Sequence, residues 1–143
     1  MVASGTAILA RRILIVDDHP DSAEATSLLL SQLGHICTPV TSGEAALVEA
    51  ERRRPDLVLC DLGLPGISGY EVARALRDRF GAAIYLAALT GWDQPADRVR
   101  ALCAGFDQHV VKPATAKVLL SVITSSLCSW RTGGAIGRDP AVG

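Results

Sequence analysis

The sequence predicts an α/β domain in which one five-stranded parallel sheet is covered by helices on both faces. Short apolar runs alternate about five times with longer segments whose apolar residues recur at helical spacing. The runs are continuously apolar, as is typical of parallel strands that are buried on both faces. The chain has 143 residues, 49% of them hydrophobic, which is enough for one core and too little for two ordinary domains. A single doubly wound domain is therefore expected.

The five strands are expected at the apolar runs. They are predicted near residues 12–17, 35–40, 56–61, 83–89 and 108–111. Pro39 lies within the second run, and a proline in a central strand would remove a hydrogen bond of the ladder. The second strand is therefore predicted at an edge of the sheet, and a strand order of 2-1-3-4-5 satisfies this requirement.

The segments between the strands are expected to be helices. They are predicted near residues 20–33, 43–53, 69–79, 95–104 and 114–129. Ser42 has the position of an N-cap, and Ser68 with Glu71 has the spacing of a capping box. Gly34 and Gly105 stand where helices end in the left-handed conformation that favours glycine.

The domain limits follow from these elements. We predict a domain over 11–129, preceded by a tail or linker at 1–10. Residues 130–143, which are rich in glycine, are predicted to form a flexible tail. No room for an output domain is expected after the sheet.

The composition favours a cytoplasmic protein that contacts neither nucleic acid nor membrane directly. Lys and Arg number 14 against 15 Asp and Glu, so the overall charge steers the chain to no polyanion. The basic run 52–54 is interpreted as a solvated helix end rather than a phosphate-binding patch. No apolar stretch approaches the roughly 20 residues of a membrane span, and the first residues lack a basic signal region. The four cysteines are too far apart for a zinc site or a disulfide framework.

Four apolar runs end in residues that together suit phosphoryl chemistry. The first ends at Asp17 and Asp18, the third at Asp61, the fourth at Thr90 and the fifth at Lys112. Ligands of such open sheets bind beyond the carboxyl ends of the strands, where the winding direction reverses. Close carboxylates repel each other by about 4 kcal/mol per pair at 4 Å and an effective dielectric of 20, so they need a cation. The sequence therefore predicts a Mg²⁺ site, which Mn²⁺ could also occupy.

Each residue of the site is expected to have a distinct role. Asp18 is assigned as a direct metal ligand and Asp17 as a ligand through water, and the Gly63 carbonyl oxygen could add another ligand. Asp61 is assigned as both ligand and nucleophile, which would form an acyl phosphate. Lys112 would neutralise the phosphoryl oxygens.

Uncharged donors are expected around the same phosphoryl group. The Thr90 hydroxyl and the amide N–H groups of Leu62 and Gly91 would donate to its oxygens. Thr90 could alternatively be a turn hydroxyl, and a single aspartate at a strand end is often only a helix cap. Capping alone does not explain the acids together with Lys112. His19 is interpreted as a solvated loop residue rather than a ligand.

The chain resembles the receiver domains of two-component response regulators over residues 11–129. This family has a flavodoxin-like fold and is typified by the chemotaxis response regulator. The matching stretches are Ile-Leu-Ile-Val-Asp-Asp at 13–18, Cys-Asp-Leu-Gly-Leu-Pro-Gly at 60–66, Ala-Leu-Thr-Gly at 88–91, Ala-Gly-Phe-Asp at 104–107, and Lys112-Pro113. The segments 63–66 and 90–92 are similar to those in receivers of hybrid sensor histidine kinases.

The resemblance implies how the domain works. Asp61 would be the phosphoacceptor, and a phosphohistidine on a sensor histidine kinase or a histidine phosphotransfer protein would be the donor. The Lys112–Pro113 peptide bond would be cis. Signalling would couple Thr90 and His109 to a face formed by helix 4, strand 5 and helix 5, through which a homodimer could form. The family usually carries Tyr or Phe at the position of His109, so an edge-strand histidine without a switching role is an equal alternative.

Two other functions are considered. A degenerate receiver would act only as a protein-interaction module, which the intact acids and Lys112 disfavour. A phosphohydrolase of the dehalogenase type would need Asp-x-Asp after its first strand, whereas this chain has Asp17 and Asp18 side by side.

Overall fold

The computed structural model describes residues 10–91 and 94–136, in which strands and helices alternate. In chain order the elements are β1 (Arg12–Val16), α1 (Pro20–Gln32), β2 (Ile36–Val40), α2 (Gly43–Arg52), β3 (Leu57–Asp61), α3 (Gly69–Phe80), a 3₁₀-helix (Gly81–Ala83), β4 (Tyr85–Thr90), α4 (Pro95–Ala104), β5 (Gln108–Val111) and α5 (Ala116–Ile136). The predicted alternation is confirmed. None of these helices is long and apolar enough to cross a membrane.

The strands form one parallel sheet in the order β2-β1-β3-β4-β5, which confirms the predicted topology. In the register, Val16 of β1 pairs with Cys60 of β3, and Asp61 pairs with Leu89 of β4. All strands therefore end at one side of the sheet, which we call the carboxyl edge, and begin at the opposite side, the amino edge. The strand ends predicted to carry the site share the carboxyl edge.

The position of Pro39 follows from the hydrogen bonds of β2. The Ile36 N–H donates to the Arg11 carbonyl at 2.9 Å, and the Val40 carbonyl accepts from the Asp17 N–H at 3.1 Å. Even-numbered residues of β2 therefore direct their backbone groups toward β1, and Pro39 faces the open edge, where no N–H is needed. The predicted edge position is confirmed.

Two apolar layers cover the sheet. Alternate strand residues such as Leu14, Val58 and Leu86 pack with α2, α3 and α4 on one face. The residues between them, such as Ile13 and Leu57, pack with α1 and α5 on the other. Burying one such side chain stabilises the fold by about 1.5–3 kcal/mol. The central strand β3 is buried at every residue, so its end is held firmly.

The predicted helix caps are present. The Ser42 hydroxyl accepts from the Ala45 N–H at 3.0 Å, and Ser68 and Glu71 form a reciprocal capping box. Gly34 and Gly105 adopt φ values of 95° and 114°. These local signals fix the helix ends that border the sheet.

The last helix begins within two residues of the predicted start but ends later than predicted. α5 begins at Ala116 rather than 114, because the Thr115 hydroxyl accepts from the Val118 N–H at 3.3 Å and caps the helix. It continues to Ile136 instead of ending near 129. Glycines disfavour a helix by only about 1 kcal/mol each, and no proline interrupts this segment. Residues 1–9 and 137–143 lie outside the described residues, so the flexibility of both tails stays a prediction.

Candidate functional site

The structure brings the predicted acids, hydroxyl and amine together at the carboxyl edge. Asp17 follows β1 directly, and Asp61 and Thr90 are the last residues of β3 and β4. Lys112 follows β5, and its N–H donates to the Thr90 carbonyl at 2.7 Å. The Lys112–Pro113 peptide bond is cis, as the resemblance implied.

The centre of the site is an ion pair between Lys112 and Asp61. The Lys112 Nζ lies 2.7 Å from Asp61 Oδ2 and 3.8 Å from Asp17 Oδ2. The other oxygen of each carboxylate accepts from a nearby backbone N–H: Asp61 Oδ1 from Gly63 and Asp17 Oδ1 from His19, both at 3.0 Å. Each of these carboxylates is thus oriented by one amide and directs its second oxygen toward the amine.

The ionisation of these groups follows from their neighbours. Burial opposes the charge of Asp17, whose side chain is 3% exposed, but hydrogen bonds from His19 and Ser22 and the charge of Lys112 lower its pKa. Burial also opposes the charge of Lys112, yet the hydrogen bond and charge of Asp61, with the other two acids, raise its pKa. Asp17 and Lys112 are therefore both charged at neutral pH.

The acidic groups have the donor set that a hard divalent cation needs. One ligand atom each from Asp17, Asp18, His19 and Asp61 can be chosen so that all lie within 4.8 Å of one another. Three carboxylates face the single ammonium of Lys112, so the site carries an excess negative charge. Oxygen ligands of this kind suit Mg²⁺. The residues present therefore fit the predicted metal.

His19 lies closer to the acids than the sequence suggested. Its side chain is 73% exposed, as expected of a loop residue, but its Nδ1 lies 3.4 Å from Asp17 Oδ1 and 3.3 Å from Asp18 Oδ1. The signal in the sequence was its position directly after the acid pair, before the proline that starts α1.

The loop after Asp61 is held against the start of α3. The Gly69 N–H donates to the Leu62 carbonyl at 3.2 Å, and a Cβ on Gly69 would overlap the Asp61 carbonyl oxygen. Gly63 is exposed, and a Cβ there would lie 3.9 Å from Asp61 Oδ1. The absence of a side chain on Gly63 leaves the Asp61 carboxylate open from that side.

The amides expected to donate to a phosphoryl group differ from each other. The Leu62 N–H donates to the Leu89 carbonyl at 3.0 Å, so it would have to share or exchange that acceptor. Gly91 is exposed, with open space where a Cβ would be. Both roles, and that of the Gly63 carbonyl, stay predictions. Trp92, the next residue, lies outside the described residues.

Thr90 and His109 project from the same face of the sheet. His109 pairs in register with Ala88, whose side chain belongs to the layer of α2, α3 and α4. Thr90 is two residues beyond Ala88 on the same strand, so it faces this layer too. Thr90 is buried and His109 is half-buried. Both predicted switch residues thus border α4 rather than α1.

A cleft of about 500 Å³ opens beside Lys112, between α1 and the segment that joins β5 to α5. It is lined by Asp17, Ser22, Ala25, Thr26, Leu89, Lys112, Pro113 and Ala114. Two groups of the site, Asp17 and Lys112, line this cleft. A molecule in the cleft could therefore contact the amine that is paired with Asp61.

Comparison with known proteins identifies the family. Residues 13–124 match the family model described as the response regulator receiver domain. The chain belongs to this family. It is a receiver domain of the two-component response regulators, and its sheet order and acid cluster are those predicted from Pro39 and from the residues at the strand ends. The phosphohydrolase alternative loses its support, since it rested on another family.

Curated relatives include a sensory transduction protein and a DNA-binding response regulator. The chain is 39% identical over 122 residues to the sensory transduction protein RegX3 of Mycobacterium tuberculosis, covering 85% of this chain and 52% of that protein. It is 38% identical over 119 residues to the DNA-binding response regulator MtrA of Mycolicibacterium smegmatis, covering 83% and 51%. The chain thus spans about half the length of the curated relatives it matches. Neither is named as a hybrid kinase, so that origin stays a prediction.

Solved structures agree with the fold. A CheY-like receiver domain protein from Methanospirillum hungatei superimposes with a TM-score of 0.80 at 26% identity, covering 87% of this chain and 98% of that one. A response regulator from Chloroflexus aurantiacus gives a TM-score of 0.78 at 28% identity, covering 84% and 99%. The flavodoxin-like fold class is therefore confirmed.

Proposed function

We propose that this receiver accepts a phosphoryl group on Asp61 from a phosphohistidine of a sensor histidine kinase or a histidine phosphotransfer protein. The observation that carries the proposal is the 2.7 Å contact between Lys112 Nζ and Asp61 Oδ2 inside a cluster of three carboxylates. An amine placed on the attacking carboxylate can also contact the oxygens of an incoming phosphoryl group.

The transfer would exchange one bond for another. The P–N bond to the donor imidazole breaks and its electron pair returns to the nitrogen, while a P–O bond forms to Asp61. The transition state is loose, so positioning and charge neutralisation matter more than the strength of the nucleophile. Lys112 would contact one phosphoryl oxygen, and the Thr90 hydroxyl with the Leu62 and Gly91 amides would donate to others.

A divalent cation belongs to this proposal. When bound, Mg²⁺ or Mn²⁺ supplies positive charge that offsets the carboxylates and the phosphoryl oxygens. Asp18 and Asp61 would hold it directly, Asp17 through water, and the Gly63 carbonyl would complete the protein ligands. The open side above Gly63 would also admit the water that hydrolyses the acyl phosphate, so the domain would catalyse its own dephosphorylation.

We infer that the phosphorylated state is transmitted through Thr90 and His109. Both face the layer that contains α4, and α4 exposes Val99 and Leu102 while α5 exposes Leu120. Exposed apolar side chains on the helices that flank β5 suit contact with a partner protein or a second copy of the chain. We therefore propose that the partners are proteins. We also propose that the domain acts in the cytoplasm and does not contact nucleic acid or membrane directly.

Incubation with acetyl phosphate and Mg²⁺ tests the proposal. We expect an acid-stable, base-labile adduct with the mass of one phosphoryl group in the parent protein and none in Asp61→Asn. Asp78→Asn is the matched control, because Asp78 is an exposed acid on α3, and it should be modified as the parent is. The reaction should require the metal.

The degenerate interaction module is the competing outcome. A parent protein that stays unmodified with acetyl phosphate and with phosphorylated kinases, although it binds Mg²⁺, would establish that alternative. Addition of beryllium fluoride, a phosphoryl mimic, separates the switch from the chemistry. If the adduct forms but the His109 chemical shifts ignore beryllium fluoride, the transfer stands and the role of His109 is lost.

A further inference from the structure

His19 lies beside the proposed metal site, in the loop between β1 and α1. It is the residue before α1, with φ −101° and ψ 105°, and its side chain makes no capping hydrogen bond to that helix. Pro20 follows as the first helical residue, which restricts the backbone of His19. The imidazole is therefore held near the acid pair by the backbone without being used as a helix cap.

The separations between donor atoms suit a shared ion. His19 Nδ1 lies 3.4 Å from Asp17 Oδ1 and 3.3 Å from Asp18 Oδ1, longer than the usual range of N–H···O hydrogen bonds. Donors about 2.1 Å from a metal, at adjacent corners of an octahedron, are separated by roughly 3.0 Å. The separation of His19 Nδ1 from Oδ1 of Asp18, the proposed direct ligand, is thus close to that of two neighbouring donors on one ion.

We propose that His19 is a ligand in this site and gives it a preference for transition-metal ions such as Ni²⁺ over Mg²⁺. The inference rests on the proposed function, because it assigns a further ligand to the same site. Imidazole nitrogen binds nickel, zinc and iron well, whereas Mg²⁺ selects oxygen. His19 should therefore contribute to the binding of the first group and add nothing to the binding of magnesium.

The exposure of His19 is compatible with this role. Its side chain is 73% exposed, so the ring loses little hydration when it turns toward an ion at the surface. Asp17 and Asp61 fix the inner side of the site, with side chains 3% and 12% exposed. The ion would be held by carboxylates on its inner side and covered by the His19 ring on its solvent side.

Calorimetric titration of the full chain with Ni²⁺ and with Mg²⁺ tests the inference. We expect His19→Ala to weaken Ni²⁺ binding at least about tenfold, since even indirect partners of metal ligands change affinity 10–100-fold. The Mg²⁺ affinity should change less than about twofold, given that preference of Mg²⁺ for oxygen ligands. Competition between the two ions identifies the site and excludes binding to the exposed thiols of Cys103 and Cys128.

The control variant and a second readout keep the outcomes apart. Asp18→Asn should weaken the binding of both Ni²⁺ and Mg²⁺. The ¹⁵N chemical shift of His19 Nδ1 should change when diamagnetic Zn²⁺ is added but not when Mg²⁺ is added. Equal Ni²⁺ affinity in the parent and His19→Ala would overturn the inference, and so would a Mg²⁺ affinity that falls as far as the Ni²⁺ affinity in the variant, which would show that His19 does not distinguish the two ions. In both cases Asp61 phosphorylation would proceed, so the proposed function would be judged separately.

Discussion

The two edges of the sheet use the same kinds of polar residue in opposite ways. At the carboxyl edge, Asp17, Asp61 and Lys112 direct charged atoms toward one another. At the amino edge, Asp56 and Asp107 direct theirs to the backbone: the Arg12 N–H donates to Asp56 Oδ2 at 2.9 Å, and the Leu86 N–H to Asp107 Oδ2 at 2.8 Å. The carboxyl edge brings charged groups close to one another, whereas the acids of the amino edge accept hydrogen bonds from the backbone.

Arg77 provides hydrogen-bond donors for several polar groups of the amino edge. Its guanidinium donates to the carbonyls of Gly81 at 2.7 Å, Ile84 at 2.9 Å and Gly105 at 3.1 Å, and it pairs with Asp107 at 2.9 Å. One side chain of α3 thus ties together the starts of β4 and β5. An isolated acid is no sign of function in this fold. The sign is a set of acids that share one counter-ion.

The largest expected effect comes from removing Arg77. Arg77→Ala should lower the free energy of unfolding by about 3 kcal/mol, because it leaves three part-buried carbonyls without the guanidinium and the Asp107 carboxylate with the Leu86 N–H but no counter-ion. Urea unfolding measures it. Arg77→Lys should recover only part of the loss, since an ammonium cannot reproduce the planar set of donors.

Arg79 is the matched control for Arg77. It pairs with Glu51, but the two side chains are 63% and 50% exposed, so Arg79→Ala should cost less than about 1 kcal/mol. Similar losses in the two variants would contradict the distinction drawn between structural and solvated pairs. Phosphorylation of Asp61 should survive in folded Arg77→Ala, because the guanidinium lies at the edge opposite the site.

At the carboxyl edge, removing a charge should stabilise the protein instead of destabilising it. Asp18→Asn removes one of three mutually repelling carboxylates, so in metal-free buffer it should raise the free energy of unfolding by about 1 kcal/mol. Saturating Mg²⁺ should stabilise the parent but not the variant, since only an ion bound to the folded state shifts the equilibrium. Glu24→Gln, which neutralises an exposed acid of α1, is the control. A metal-free Asp18→Asn that is less stable than the parent would break the comparison.

Much of the fold could be predicted because its signals are local. Apolar runs, the proline of β2 and the capping residues each act on their own neighbours, and they agree with one topology. Only the far end of α5 was missed. Its start lies two residues from the predicted one, and Thr115, which caps it, is the only Ser or Thr between Thr90 and Ser121. The far end depends on small differences in free energy at Gly133 and Gly134.

The site could be predicted only in outline. The carboxyl ends of parallel strands meet at one edge, so the meeting of Asp61 with Lys112 follows from the topology. The hydrogen-bond partner of the Leu62 amide and the approach of His19 depend on loop geometry that no periodicity encodes. Arg77 was missed because nothing in the sequence separates it from Arg79, two residues further on.

The smallest expected effect is a pH dependence at the amino edge. His35 is buried and its Nδ1 accepts from the Arg11 N–H at 3.1 Å, which requires that nitrogen to be unprotonated. Burial, and then the charge of Arg11, lower the pKa of His35 below its usual 6.5. As the pH falls, the His35 ring is therefore protonated at a higher pH in the unfolded chain than in the folded protein. The stabilising effect is complete above pH about 6.5 and declines as the pH falls toward the lower pKa, by at most about 1.4 kcal/mol per pH unit.

Urea midpoints of the parent should fall more steeply across this window than those of His35→Gln, and NMR titration should place the His35 pKa below 6.5. Parallel profiles for the two proteins would show that the His35 ring does not couple folding to protons.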